Sequence, residues 1–92
     1  MAGQACMLIY NLAGKQPKEK AAIIRKLYGY EDRSNMGRYR YEREGICSKI
    51  RHIKPADNTI ICPEHESRKI ENFFKSHSIN YTKWKILLDE AL

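Results

Sequence analysis

Three features of the sequence predict an α+β fold with the element order β-α-β-β-α-β. Residues 38–43 and 79–88 alternate with the period of two that a strand imposes. Pro17 and Gly29 bracket a stretch whose apolar residues recur at helical spacing. A β-branched run, Thr59-Ile60-Ile61-Cys62, is cut off by Pro63 just ahead of a second helical stripe. The 92-residue chain allows one domain, 1–92, with a small core and frayed ends. A composition of 42% hydrophobic and 30% charged residues excludes disorder, collagen and a coiled-coil rod as descriptions of the whole.

The elements follow in order. Residues 6–12, Cys-Met-Leu-Ile-Tyr-Asn-Leu, form an apolar run beside the turn pair Ala13-Gly14, which at this length reads as a buried strand. Pro17 suits the first turn of a helix, where its missing N–H costs nothing, and Gly29 suits its end. Between them Ala21, Ile23, Ile24, Leu27 and Tyr28 share one broad face, with Lys18, Arg25 and Lys26 nearly opposite. Residues 30–37 are polar, end in turn formers and read as a loop. As a strand, 38–43 places Tyr39, Tyr41 and Arg43 on one face and Arg38, Arg40 and Glu42 on the other. Ile46, Ile50 and Ile53 fit either a short helical turn or an irregular packed segment, followed by a turn over 54–58. The second helix starts at Pro63, with Glu64 and Glu66 complementing its dipole and Ile70, Phe73, Phe74 and His77 facing inward. In the last strand Thr82, Trp84, Ile86 and Leu88 line one face and Tyr81, Lys83, Lys85 and Leu87 the other; if Trp84, Ile86 and Leu88 point to the helices, Tyr81, Lys83 and Lys85 lie on the uncovered side. Residues 89–92 are expected to fray.

Two helices of this length cover one face of a four-stranded antiparallel sheet, the ferredoxin-like βαββαβ arrangement, and the other face meets solvent or a partner. Charge bears on that partner. The chain is +6 overall, but residues 1–54 hold twelve Lys/Arg against five Asp/Glu, whereas 55–92 hold five against six. A clustered surplus creates a local potential able to steer phosphates. Rings interleaved with cations on a sheet bind nucleic acid by stacking and neutralisation. The expected phosphate contacts are Arg33, Arg38, Arg40, Arg43, Lys49, Arg51, Lys83 and Lys85, with Tyr39, Tyr41 and Tyr81 as stacking platforms. The loop over 30–37 would reach along a groove if the target is a duplex.

Catalytic and metal chemistry have weaker signals. Cys47, His52, Cys62 and His65 include the chelate-like pair in Cys62-Pro63-Glu64-His65, but their separations match no usual zinc finger or ribbon, and no metal or other cofactor is expected. Glu31-Asp32 and Glu42/Glu44 are the paired carboxylates a metal-dependent nuclease would need; both pairs lie among arginines, which favours surface ion pairing. Ala13-Gly14-Lys15 is too short for a phosphate-binding loop. The three cysteines are odd in number and widely spaced, so reduced thiols are expected. No apolar run reaches the roughly 18 residues of a membrane span, and the first residues lack the charged-then-apolar order of a signal peptide. A cytoplasmic protein without a membrane partner is the expectation.

Met7-Leu8-Ile9-Tyr10-Asn11-Leu12 resembles the first-strand motif of RNA-recognition-motif proteins at Ile9, Asn11 and Leu12, with Leu8 at the motif's aromatic position. Ile9-Tyr10-Asn11-Leu12 is also similar to the apolar-Tyr-Asp-apolar strand end of the small CRISPR spacer-acquisition subunit, a dimer that holds duplex DNA, with Asn11 replacing the carboxylate. Both resemblances imply a ferredoxin-like fold and a nucleic-acid partner; the amide at Asn11 departs from a metal-binding nuclease. The expected function is therefore non-enzymatic binding of RNA or DNA, mainly through phosphates. A structural subunit or homodimer within a larger assembly and a metal-dependent nuclease are the alternatives.

Overall fold

The long apolar run of residues 5–10 becomes the centre of a sheet, with a paired strand on each side. In the computed structural model, which describes residues 3–34, 36–90 and 92, strand β1 (Gly3–Asn11) lies between β4 (Thr59–Pro63) and β5 (Asn80–Leu88). Both pairings are antiparallel, with Cys6 opposite Cys62 and Lys85, and Leu8 opposite Ile60 and Lys83. A second, two-stranded sheet joins β2 (Tyr30–Ser34) to β3 (Tyr39–Arg43). The molecule is thus α+β with antiparallel sheets and two helices, α1 (Pro17–Tyr28) and α2 (Ser67–Ser76). The chain divides into two compact units: residues up to Gly14 together with those from Ile50 onward, and Lys15–Lys49. No helix among the described residues is long and apolar enough to cross a membrane.

In the first unit, β4, α2 and β5 form a crossover that leaves a gap filled by β1, so β4 and β5 run parallel without touching. Ile70, Phe73 and Phe74, spaced three and one apart, put α2 onto the face carrying Cys6, Leu8 and Tyr10, and all six are buried. Phe74 stacks between Tyr10 and Tyr81, with both centroid separations 5.1 Å. Ser78, at φ 54°, turns the chain from α2 into β5, and Ile79 N–H returns to Phe74 O at 2.8 Å.

The second unit is built around a close backbone crossing. Gly29 ends α1 at φ 81°, and its N–H bonds to Arg25 O at 2.7 Å. A Cβ on Gly45 would lie 2.6 Å from the Tyr28 carbonyl carbon and 2.7 Å from that of Leu27. The root of the β2–β3 hairpin is therefore clamped to the end of α1. Ile23, Leu27 and Cys47 are buried, and α1 contacts the 3₁₀ turn at Ile46–Lys49.

Five expectations need correction. Among the described residues the four-stranded sheet is absent: the fourth position, beside β4, is held only by Ile53, whose N–H and C=O pair with Ile61 at 2.9 and 2.8 Å. Residues 30–34 form a strand rather than a loop: Glu31 and Arg33 face like charges directly across the hairpin, but the diagonal ion pairs Arg40–Glu31 and Arg43–Asp32 link the strands in place of apolar alternation; Asn35 falls outside the described residues. Pro63 ends β4, a 3₁₀ turn (Glu64–Glu66) follows, and α2 starts only at Ser67. The buried face of α1 is narrower than expected, since Ala21 and Ile24 are exposed. Strand β5 is reversed from the orientation that would turn Trp84 to the helices: Tyr81 and Lys83 lie on the α2 side, bonded to Glu71, while Trp84 stands on the open face at 56% exposure. Pairing with β1 imposes that choice, because Tyr81 opposes the buried Tyr10 and Lys83 the buried Leu8. Of residues 89–92, which follow the end of β5, Ala91 lies outside the described residues.

Candidate nucleic-acid interface

The hairpin register sorts its side chains into two faces. Tyr30, Asp32, Ser34, Tyr39, Tyr41 and Arg43 lie on one, Glu31, Arg33, Arg40 and Glu42 on the other. Both faces are open: on the first Tyr39 is 54% and Tyr41 48% exposed, and on the second Glu31, Arg33, Arg40 and Glu42 are all exposed. On the tyrosine face Arg43 donates to Asp32 Oδ2 from Nε at 3.3 Å and from Nη2 at 3.2 Å, and its guanidinium sits 5.6 Å from the Tyr41 ring. The opposite face is closed electrically as well, with Arg33 and Arg40 each 3.5 Å from Glu31 Oε1. Arg38 lies in the turn between the strands and has no carboxylate partner among the described residues.

The surplus charge of this unit sits elsewhere. Lys15 pairs with Glu19 at 3.8 Å and Lys49 with Glu44 at 3.5 Å, whereas Lys18, Lys20, Arg25 and Lys26 are exposed on α1 without an ion pair among the described residues. Lys18, Arg25 and Lys26 share one stripe of the helix. Arg25 lies over the Tyr30 ring at 5.0 Å, so the cationic stripe of α1 continues into the tyrosine face of the hairpin. Sequence reasoning noted the basic side of this helix but did not place these residues in the site. The signal was present in the charge surplus of residues 1–54; assigning it required knowing which arginines had partners.

The hairpin gathers Arg33, Arg38, Tyr39, Arg40, Tyr41 and Arg43 of the expected set. Tyr81, Lys83 and Lys85 belong to the other unit, and its own carboxylates engage them. Tyr81 OH donates to Glu71 Oε1 at 3.1 Å, Lys83 Nζ donates to Glu71 Oε2 at 3.2 Å, and Lys85 pairs with Glu64 at 3.3 Å. Ser67 Oγ lies 2.9 Å from Glu64 O and 3.1 Å from Glu71 Oε2, either of which accepts its single hydrogen. Burial alone would raise the Glu71 carboxyl, but the hydrogen bonds from Lys83, Tyr81 and Ser67 outweigh it and hold Glu71 below its usual range. The bond to Glu71 raises Lys83, and burial followed by the same carboxylate raises Tyr81. These three residues thus form an internal polar clamp between α2 and β5. Arg51 is exposed and also lies in the first unit.

The metal-type residues do not converge: among the described residues no three His, Cys, Asp or Glu side chains form a group able to hold an ion. Cys62 is buried on the sheet face under α2, and burial, then the neighbouring Cys6, pushes its thiol up to about 11. His52 Nδ1–H donates to Ile50 O at 2.7 Å, Cys47 is buried in the second unit, and His65 is solvent-exposed beside Glu66. Asn11, the residue that replaces a carboxylate in the spacer-acquisition pattern, accepts a bond from Ala13 N–H at 2.8 Å and so shapes the turn after β1. No protein-family model, curated protein or solved structure matches the chain.

Proposed function

We propose that the protein binds RNA or DNA mainly through phosphates, without catalysis, using the Lys15–Lys49 unit. One observation carries the reading: Lys18, Lys20, Arg25, Lys26 and Arg38 are exposed cations without carboxylate partners among the described residues, beside a hairpin that presents three exposed tyrosines. The paired arginines remain available at little cost, because exposed ion pairs contribute about 0–1 kcal/mol and a phosphate can replace the carboxylate. The three-stranded sheet is read as the core of a ferredoxin-like arrangement whose fourth position is reduced to the Ile53 bridge.

The test is a titration against RNA and DNA at rising salt. Log K should fall linearly with log salt at about −0.7 to −0.9 per phosphate neutralised. Lys18→Glu with Arg38→Glu should weaken binding to all sequences alike and flatten that slope. A salt-independent affinity would overturn the reading.

A second reading, a homodimer, has its own observation. Ile53, Ile61, Met7 and Trp84 form one row across the open face of the sheet, flanked by Ile9, and Ile53, Ile9 and Trp84 are 44%, 39% and 56% exposed. Light scattering should then give twice the chain mass, and Trp84→Arg should return it to one. A single-chain mass for the unaltered protein removes this reading.

A further inference from the structure

Rings and net charge are segregated across the Lys15–Lys49 unit. The tyrosine face is electrically closed, since Arg43 neutralises Asp32. The unpaired cations flank it: Arg25 at the Tyr30 end, continuing to Lys18 and Lys26, and Arg38 in the turn beside Tyr39. A face without net charge but with three exposed rings is poorly matched to a row of phosphates and well matched to the faces of bases.

We infer that the ligand of this unit is a single strand, with bases stacked on Tyr39 and Tyr41 and phosphates held by Arg25, Lys18 and Lys26 on one side and Arg38 on the other. The inference rests on the nucleic-acid reading above and narrows it. Tyr39 and Tyr41 are two residues apart on one strand, an interval of about 6.6–6.8 Å. That is twice the roughly 3.4 Å rise per base along one strand of a duplex. Consecutive bases seated on the two rings are therefore drawn apart beyond duplex stacking, which an unpaired strand allows and a duplex resists by a few kcal/mol for each base extruded. Duplex DNA or RNA would present only phosphates to the hairpin and leave its exposed rings unused. The stacking contact is indifferent to the sugar, so it does not by itself separate RNA from DNA.

The experiment uses the full chain with fluorescein-labelled oligonucleotides of about 16 nucleotides. A single strand and its duplex are compared, each as RNA and as DNA, in anisotropy titrations at fixed and at varied salt. The single strands should bind at least about tenfold tighter than the duplexes, with tyrosine emission quenched on binding. Tyr39→Ala and Tyr41→Ala should each lower single-strand affinity about 5- to 150-fold, matching the value of a base–ring stack. Duplex affinity and the salt slope should stay unchanged, and Tyr39→Phe and Tyr41→Phe should retain binding, which separates loss of the ring from loss of the hairpin. Equal binding of strand and duplex with a steep salt slope would overturn the stacking inference and leave the phosphate-binding reading standing. Unchanged single-strand affinity in both alanine variants would do the same. Absence of binding to all four probes at low salt would overturn both.

Discussion

Glu71 and Phe74 sit one turn apart on α2 and hold it to β5 by different means. The carboxylate accepts from Tyr81 and Lys83 near the sheet edge, and the ring fills the space between Tyr10 and Tyr81. Removing the ring from its fully buried site costs transfer energy plus a cavity, about 3–5 kcal/mol for Phe74→Ala. Glu71→Ala leaves Tyr81 and Lys83 without their acceptor at a half-solvated site, which costs about 1–3 kcal/mol. Urea unfolding of the two variants should preserve that order. The reverse order would show that the polar clamp, and not apolar packing, dominates this helix–sheet contact.

At the scale of elements, the hairpin presents a problem of stability, because two strands open on both faces are marginal in water. Its root supplies what its faces lack. Gly29 and Gly45 let the end of α1 and the exit of β3 meet backbone to backbone, with no space for a Cβ. Gly45→Ala should therefore destabilise the protein by about 1–3 kcal/mol, and Gly29→Ala by more, since it adds the strain of a left-handed φ. Thermal unfolding measures both, and a variant as stable as the parent would refute the clamp. Much of this scale was legible in the sequence: Pro17 and Gly29 bound α1, residues 59–62 lie in β4, and Ile70, Phe73 and Phe74 form the buried stripe of α2. Strand β2 was not legible, because Tyr-Glu-Asp-Arg-Ser has no apolar alternation and pairs through cross-strand partners that only the register supplies.

For the whole molecule, the perturbed groups bound a pH window of stability. Glu71 is held low in the folded state, so its contribution is present above its unfolded value of 4.5 and is lost as pH falls through the folded one. Cys62 is raised from 9.0 to about 11, so the unfolded chain loses that proton first and stability declines as pH rises from 9.0 toward 11, by on the order of 2 kcal/mol. Lys83 is also raised; its contribution is complete below its unfolded value and disappears as pH climbs past the folded one, which adds to the alkaline loss. Denaturant midpoints should accordingly form a plateau through neutral pH with falls on both sides. Cys62→Ala should shrink the alkaline fall, and an unchanged fall in that variant would assign it to other groups.

The sequence by itself determined the class of fold, the two helices, the apolar centre of the sheet and the basic character of residues 1–54, because each depends on composition or on spacing along the chain. Tertiary structure alone decided which cations keep their charge for a partner. Lys83 and Arg38 look alike in the sequence, yet one meets Glu71 across a helix–sheet contact and the other meets no carboxylate among the described residues. The same holds for Trp84 and Tyr81, whose faces follow from the register with β1 and not from their own alternation. Ion pairing and strand facing are properties of neighbours distant in the chain, and local pattern carries no record of them.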